Sequence, residues 1–144
     1  MNKRLHTLRW LSVVCLAMLS ACGDDDGGTL PEPPGTLQIV TTSFDATEGT
    51  IVNIFVARSG GSDGIASVDY ATADGDAVGG SDYTAANGTL TWIDGLSGNQ
   101  TISIFITDDN TVELSESFTV TLSNVSVATL GANRSATVDI IDND

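Results

Sequence analysis

The sequence predicts an all-β fold, specifically a seven-stranded antiparallel immunoglobulin-like sandwich. From Thr36 onward, short runs of alternating apolar and polar residues recur, and this period of two is typical of strands that bury one face. Gly, Asp and Asn cluster between the runs and indicate turns. No stretch combines helical periodicity with capping residues. Seven short strands in about a hundred residues are typical of such a sandwich.

The seven predicted strands follow one another through short connections. Their apolar faces are, in chain order, Leu37 and Ile39; Val52, Ile54 and Val56; Val68 and Tyr70; Leu90 and Trp92; Ile102, Ile104 and Ile106; Phe118, Val120 and Leu122; Val138 and Ile140. Turns are predicted over residues 59–64 and 94–99, and Asn87-Gly88 predicts a tight turn before the fourth strand. The chain shows no internal repeat, which indicates one copy of one module.

Residues 1–21 have the pattern of an export signal. Lys3, Arg4 and Arg9 flank the start of an apolar run of about ten residues, too short for a membrane span of about 20. Leu19-Ser20-Ala21-Cys22 resembles the bacterial lipobox, in which the leader is cut before a Cys that becomes acylated. We therefore expect a lipid anchor at Cys22 and a domain outside the cytoplasm, in the bacterial cell envelope. The alternative is an ordinary secretory signal with a chance Cys.

Residues 22–35 are predicted to form a flexible acidic tether, and residues 36–144 the folded domain. Gly, Pro and like charges in the tether cannot bury a core. Gly23 rather than Asp follows Cys22, and by resemblance to enterobacterial sorting this favours the outer membrane over the inner one. Cys22 is the only Cys left after the leader, so no intramolecular disulfide can form. Bound metal is one other way to stabilise such a domain.

The chain is strongly acidic, with 19 Asp and Glu against five Lys and Arg and a formal net charge of −14. From Cys22 onward only Arg58 and Arg134 are basic while all 19 acids remain, which gives −17. Nucleic acid and anionic membranes repel such a surface and are poor partners. Two interpretations remain, a solvating acidic coat and a metal site built from carboxylates.

The densest acidic stretch is residues 108–116, which hold four carboxylates and a carboxamide in nine residues. No Lys or Arg lies between Arg58 and Arg134 to neutralise them. Clustered carboxylates repel one another, and their burial without a partner is costly. Oxygen ligands of this kind suit Ca²⁺, which takes about 6–8 oxygens in loose geometry. The alternative is a solvated loop tip.

Most acids outside the tether fall at the ends of predicted strands. These acids are Glu48, Asp74, Asp108, Asp109, Glu113, Glu116, Asp142 and Asp144. In an antiparallel sandwich, the ends of odd strands and the starts of even strands meet at one pole. We therefore expect all eight to converge there. Asp76 and Asp82 are assigned to local turns and left out of the site.

The chain from residue 36 to 144 resembles a Calx-β domain, the module found in sodium–calcium exchangers and bacterial surface proteins. The motifs that carry the resemblance are Ala46-Thr47-Glu48-Gly49, Arg58-Ser59-Gly60-Gly61, residues 68–75, residues 80–84, Gly88-Thr89-Leu90, residues 106–109, Glu113, Glu116-Ser117-Phe118, residues 121–124 and residues 136–144. The resemblance implies that the eight acids listed above bind Ca²⁺, with more than one ion possible. Asn110 and Asn143 replace family Asp residues, which implies weaker ligands and the weakening or loss of one ion.

These observations predict a calcium-binding module on a lipid-anchored protein, with Ca²⁺ making one pole rigid for adhesion, cell-surface interaction or cell communication. The alternative is a calcium-independent structural or adhesin-like module that holds a protein or glycan on a sheet face. An enzyme is not expected, because the mature chain has no His or Lys and its only Cys is expected to be acylated. A hydrolase using Glu113 or Glu116 is the remaining enzymatic alternative.

Overall fold

The structure is a computed structural model that describes residues 31–144. The predicted leader, Cys22 and most of the predicted tether lie outside the described residues. Nine strands are present among the described residues, and none of these residues is helical. The strands are β1 (Pro34–Ile39), β2 (Ser43–Thr47), β3 (Ile51–Gly61), β4 (Ala66–Asp74), β5 (Asn87–Trp92), β6 (Gly98–Phe105), β7 (Glu116–Ser126), β8 (Thr129–Leu130) and β9 (Ser135–Ile141).

The strands form two sheets that pack face to face. One sheet has the order β6-β3-β1-β8 and the other β2-β9-β7-β4-β5. Most neighbouring strands are antiparallel, but β8 runs parallel to β1 and β2 runs parallel to β9. The predicted all-β sandwich is confirmed. All seven predicted strands are present, and β2 and β8 are additional.

The two additional strands have little of the apolar alternation that identifies a strand in sequence. β2 is Ser-Phe-Asp-Ala-Thr, with only Ala46 fully buried. It forms because its main chain pairs with β9 over five residues, which carries the chain from the first sheet to the second. β8 has only two residues, paired with Thr36 and Leu37 of β1. Both depend on partners far away in the chain.

The core lies between the sheets and follows the predicted inward faces. It contains the Ile102 series, the inward residues of β3, β7 and β9, and Trp92, which is completely buried. Each fully buried aliphatic side chain of this kind contributes about 1.5–3 kcal/mol to stability. The Trp92 indole Nε1–H donates to the Gly98 carbonyl at 3.0 Å, so this large side chain buries no unsatisfied donor.

Arg58 holds together the pole at which β1 begins. Its side chain is 2% exposed, and its guanidinium donates to main-chain carbonyl oxygens rather than to a carboxylate. The acceptors are the carbonyls of Pro34 (2.9 and 3.0 Å), Asp63 (2.8 Å), Gly64 (2.9 Å), Leu96 (3.1 Å) and Ile93 (3.5 Å). One buried cation therefore joins the start of β1 to the β3–β4 and β5–β6 connections.

Several boundaries differ from the sequence prediction. The turns predicted over residues 59–64 and 94–99 are shorter than expected, because β3 extends to Gly61 and β6 already begins at Gly98. The predicted tight turn at Asn87-Gly88 is wrong, because both residues belong to β5 and pair with Ala71 and Tyr70. Gly88 is needed there for space, since a Cβ on it would lie 2.9 Å from the Tyr70 hydroxyl oxygen. In addition, β1 begins at Pro34, two residues before the predicted end of the tether.

No helix long and apolar enough to cross a membrane occurs in the part of the chain that the structure describes.

Candidate metal-binding site

The strand register brings six strand ends to one pole of the sandwich. Ile51 at the start of β3 pairs with Phe105 at the end of β6, and Thr47 at the end of β2 pairs with Ile141 at the end of β9. Glu116 at the start of β7 pairs with Ile140. The end of β4 joins them, because Asp74 pairs with Phe118. We call this end, with its connecting segments, the acidic pole.

Glu48, Asp142 and Asp144 form the first group of acids at this pole. A carboxylate oxygen from each lies within 4.8 Å of the others. Glu48 is only 8% exposed, and its Oε2 is buried without a hydrogen-bond partner. A buried carboxylate oxygen with no donor is costly unless a cation satisfies it. The arrangement therefore fits a hard cation better than it fits a solvated surface cluster.

Asp82, Glu113 and Glu116 form a second group, again with carboxylate oxygens within 4.8 Å of one another. Sequence reasoning missed Asp82 by assigning it to a local turn. The turn is present, because the Val78 N–H donates to Asp82 Oδ2 at 2.7 Å. The same carboxylate also faces the two Glu residues. This proximity depends on how the 75–86 segment packs against the end of β6, where the Thr107 N–H donates to the Asp82 carbonyl at 2.9 Å. Local sequence does not contain that information.

The two groups are linked through the segment between β6 and β7. The Glu113 N–H donates to Asp142 Oδ2 at 3.0 Å. Within the segment, the Thr111 N–H donates to Asp109 Oδ1 at 2.6 Å and orients that carboxylate. Asp108 lies beside the β2–β3 turn, where a Cβ added to Gly49 would be 3.4 Å from its side chain. Asp108 and Asp109 thus lie at the same pole as both groups.

The two amides that replace family aspartates differ in their contacts. Asn143 donates through Nδ2 to Asp108 Oδ1 at 3.0 Å and to the Glu48 carbonyl at 3.4 Å. Asn110 is exposed and lies between Asp109 and Thr111.

Asp74 lies at the acidic pole but belongs to neither group. Its Oδ1 accepts a hydrogen bond from the Tyr83 hydroxyl at 2.6 Å and another from the Gly79 N–H at 2.9 Å. These two bonds lower the pKa of Asp74, the tyrosine bond being the larger cause. Tyr83 also stacks on Phe118, with ring centroids 3.9 Å apart. Asp74 therefore fixes the 75–86 segment that carries Asp82.

Burial, and after it the crowding of carboxylates, raises the pKa of four acids at this pole. For Glu48 the causes are burial first, then the charges of Asp142, Asp109, Glu113 and Asp144. Burial is likewise the first cause of the raised pKa of Glu113, Glu116 and Asp144, followed by neighbouring carboxylates. The charged forms are destabilised by their own neighbours, which is the electrostatic setting that a divalent cation relieves.

Two packed β-sheets with carboxylates grouped at one pole place the chain in the class of small β-sandwich modules. The family model described as Calx-beta domain matches residues 32–144, and the chain belongs to the Calx-beta family. The resemblance inferred from the sequence motifs is thereby confirmed.

Curated relatives include sodium/calcium exchanger 1 from Canis lupus familiaris, which is 34% identical, and the same exchanger from Rattus norvegicus, which is 32% identical, each over 114 residues. Each match covers 67% of this chain and 12% of the relative, so the chain spans about an eighth of the length of these proteins.

Solved structures of similar domains agree with this assignment. The apo-form Calx CBD1 domain is 31% identical, with a TM-score of 0.72 over 76% of this chain and 97% of that domain. The structure named calcium binding domain CBD12 of CALX1.1 is also 31% identical, with a TM-score of 0.71 over 75% of this chain and 46% of that one. The Calx CBD2 domain, 20% identical with a TM-score of 0.72, shares the fold.

Proposed function

We propose that this chain is a calcium-binding module whose acidic pole becomes rigid when Ca²⁺ binds. The observation that carries the proposal is Glu48, whose buried Oε2 has no hydrogen-bond donor and lies in one group with Asp142 and Asp144. An acidic cluster alone does not indicate a ligand. A carboxylate oxygen that is buried and unpartnered within the cluster does, because a bound cation offsets the desolvation cost of the charged form.

The residues expected to hold the ion come from separate strand ends. Glu48 follows β2, Asp142 and Asp144 follow β9, and Asp108, Asp109, Glu113 and Glu116 lie on or beside the β6–β7 segment. Bound Ca²⁺ supplies charge neutralisation and oxygen coordination. The Glu113 main-chain N–H already donates to the Asp142 carboxylate. Asp82 joins the predicted ligands through its group with Glu113 and Glu116. The proposal assigns binding, and no catalytic step, to these carboxylates.

The direction of the strands places the acidic pole at the end opposite to the one where the chain enters the domain. β1 begins at Pro34, which pairs with Gly61 at the end of β3. The start of β3 lies at the acidic pole, so the chain leading into β1 approaches from the opposite pole. With an acylated Cys22 as anchor, the domain would present its acidic pole away from the membrane. This geometry supports a role for the calcium pole in adhesion or cell-surface interaction outside the cytoplasm.

A titration calorimetry experiment on residues 31–144 tests the proposal. The core is contained within these residues, and a domain of matching extent has been solved as a separate chain. We expect heat of Ca²⁺ binding that Asp142→Asn reduces strongly. The matched control is Asp63→Asn, an exposed carboxylate beyond the end of β3 at the opposite pole, which leaves binding unchanged. Absence of binding heat in the unmodified domain, with Ca²⁺ up to several millimolar, would overturn the proposal.

A second candidate function, calcium-independent protein binding, is favoured by the outer face of the four-stranded sheet. The outward-facing residues of the described strands β1, β3 and β6 include no charged side chain, in contrast to the acidic character of the chain. Ile51 pairs there with Phe105, and Val40 bonds through its N–H to the Phe55 carbonyl. All four side chains are 43–59% exposed. Four exposed apolar side chains on an uncharged face suit an apolar patch on a protein partner.

The two candidates predict different effects of metal removal. Beads coated with residues 31–144 are added to bacterial cells with Ca²⁺ or with EDTA, and adhesion is counted. Adhesion that EDTA abolishes favours the acidic pole. Adhesion that persists in EDTA but is lost in Phe55→Ser favours the sheet face. Val127→Ser, which changes an apolar residue of similar exposure outside this face, is the control.

A further inference from the structure

We propose that the Asn143 side chain cross-links two segments of the acidic pole through hydrogen bonds, at a position where a bound cation would otherwise bridge them. Its amide holds Asp108 against the β2–β3 turn without metal and lowers by one the number of ions that the pole takes. This inference rests on the proposed calcium-binding function and concerns how the same site is held before calcium arrives.

The first argument is the set of segments that the Asn143 side chain joins. Its Nδ2 lies 3.0 Å from Asp108 Oδ1 and 3.4 Å from the Glu48 carbonyl oxygen. Asn143 follows β9, Glu48 follows β2, and Asp108 follows β6. Because β6 belongs to one sheet and β2 and β9 to the other, this single amide spans the sandwich at its acidic end.

The second argument is the chemistry of the donor. An amide NH₂ has two N–H donors, so one group can serve both oxygens. A carboxylate in the same position has no donor when ionised and would put a further negative charge within hydrogen-bond distance of Asp108. Such an arrangement of oxygens would need a cation between them. The partial positive charge of the amide hydrogens replaces that cation for Asp108 Oδ1.

The neighbours of Asn143 show that this replacement is local. Asp142 and Asp144 remain acids, and both lie in the group with the unpartnered Glu48 oxygen. The Asp144 N–H donates to Asp142 Oδ1 at 3.2 Å, which orients that carboxylate toward the same group. Asp142 and Asp144 therefore remain available as ligands for a cation. Asn143, between them, bridges Asp108 and the Glu48 carbonyl through its amide, so no cation is needed to bridge those two groups.

The consequence is a pole that is partly assembled before it binds calcium. Asp108 is positioned in the metal-free domain, so less ordering is left for the ion to impose at that residue. Restoring a carboxylate with Asn143→Asp removes the cross-link and creates an additional oxygen ligand. The variant domain is then weaker without metal, binds more calcium, and gains more stability from it.

Two measurements on residues 31–144 test the inference, namely the melting temperature in EDTA and the number of Ca²⁺ ions bound at saturation. In EDTA, Asn143→Ala is expected to melt about 4 °C below the unmodified domain because one cross-link is lost. Asn143→Asp is expected to melt lower still because it also adds repulsion. At saturation Asn143→Asp binds one more ion than the unmodified domain and shows a larger calcium-induced rise in melting temperature.

Asn110 supplies a matched control at the same pole. Asn110→Ala removes an exposed amide for which no hydrogen bond to Asp108 is found, and it therefore leaves the cross-link in place. We expect Asn110→Ala to melt like the unmodified domain in EDTA. The inference is overturned if Asn143→Ala also melts like the unmodified domain, or if Asn143→Asp binds no additional ion. If the unmodified domain shows no response to calcium, the proposed function fails, and the EDTA comparison still decides whether Asn143 is a cross-link.

Discussion

At the scale of single residues, Glu48 carries the most information about function. Its acidic neighbours could be explained as a solvating surface, but its own burial cannot, because a solvating charge stays in water. The position of Glu48 before a strand and its place in a family motif predict that it is a metal ligand. Its burial and the missing donor at Oε2 could not be found in this way. They depend on how the end of β9 folds back over the β2–β3 turn.

Replacing Glu48 with Gln separates its charge from its shape. We expect Glu48→Gln to raise the melting temperature of the metal-free domain by a few degrees, because a neutral amide removes a buried, unpaired charge from a cluster of acids. We also expect it to weaken Ca²⁺ binding about tenfold or more, since a ligand oxygen becomes an amide. Differential scanning calorimetry and calcium titration measure the two effects. Glu32→Gln, at the opposite pole, should change neither, and a lower metal-free melting temperature in Glu48→Gln would contradict this account.

The raised pKa values at the acidic pole predict an inverted pH dependence for the metal-free domain. Glu48, Glu113, Glu116 and Asp144 have raised pKa values when folded, so their contribution to stability is present at low pH and is lost as pH rises through those values. We therefore expect the melting temperature in metal-free buffer to rise as the pH falls from 7 to about 5.

Further acidification has the opposite effect. Asp69 and Asp74 have lowered pKa values, so the stability they contribute is lost as the pH falls through those values. With Ca²⁺ present the dependence between pH 7 and 5 should reverse, because protons compete with the ion for the carboxylates. A metal-free melting temperature that falls steadily from pH 7 to 5 would contradict the burial and crowding described for the acidic pole.

At the scale of elements, the structure adds most to the sequence prediction in the 75–86 segment. The strand end and the family motif predict Asp74 as a ligand, and the residues around Asp82 predict a turn. In the structure, the Asp74 carboxylate accepts hydrogen bonds from the Tyr83 hydroxyl and the Gly79 N–H. The Asp82 carboxylate lies close to those of Glu113 and Glu116. Periodicity identifies strands, but it does not specify how a twelve-residue connection folds against its neighbours.

Tyr83→Phe tests whether Asp74 positions this segment. The substitution removes the hydroxyl that donates to Asp74 at 2.6 Å and keeps the ring that stacks on Phe118. We expect a melting temperature about 5 °C lower, since a charge-assisted hydrogen bond is lost. We also expect weaker calcium binding through the misplaced Asp82. Tyr70→Phe is the control for loss of a tyrosine hydroxyl. An unchanged calcium affinity in Tyr83→Phe would show that the segment is positioned without Asp74.

The strand prediction succeeded where one face of a strand is apolar and failed where pairing alone makes the strand. The Ile102 series and the inward residues of β3, β7 and β9 follow the predicted alternation. β2 forms because β9 offers it a parallel edge. Residues 87 and 88 belong to β5 because they pair with β4, and residue 88 must be Gly because the Tyr70 side chain occupies the space that a Cβ would need. Both are tertiary effects, and single-sequence patterns do not contain them.

At the scale of the whole molecule, the two poles have different stabilising chemistry. The pole where β1 begins is joined by Arg58 and main-chain carbonyls, and the acidic pole is joined by carboxylates, main-chain amides and Asn143. The convergence of the acids on one pole was predicted from strand count, and the register explains why it occurs. The topology thus concentrates many of the carboxylates of residues 31–144 at one pole.

This division predicts that the two poles respond independently to mutation. Arg58→Lys removes the planar fork that serves several carbonyl groups, and we expect it to destabilise the domain by about 3 kcal/mol or more. Calcium affinity should be unchanged in the fraction that remains folded, because the substitution lies at the opposite pole from the carboxylates. Urea unfolding and calcium titration measure the two quantities. A large loss of calcium affinity in the folded protein would show that the poles are coupled.

The most direct test of the central claim is the melting temperature of residues 31–144 in EDTA and in a few millimolar Ca²⁺, with Mg²⁺ at the same concentration as a control for ionic strength. A ligand at about 100 times its dissociation constant adds about 2.7 kcal/mol to folding stability, which corresponds to a rise of several degrees or more. We predict such a rise with Ca²⁺, a much smaller one with Mg²⁺, and loss of the calcium response in Asp142→Asn but not in Asp63→Asn. Equal melting temperatures in EDTA and Ca²⁺ would contradict the claim and leave the acidic pole as a solvating surface.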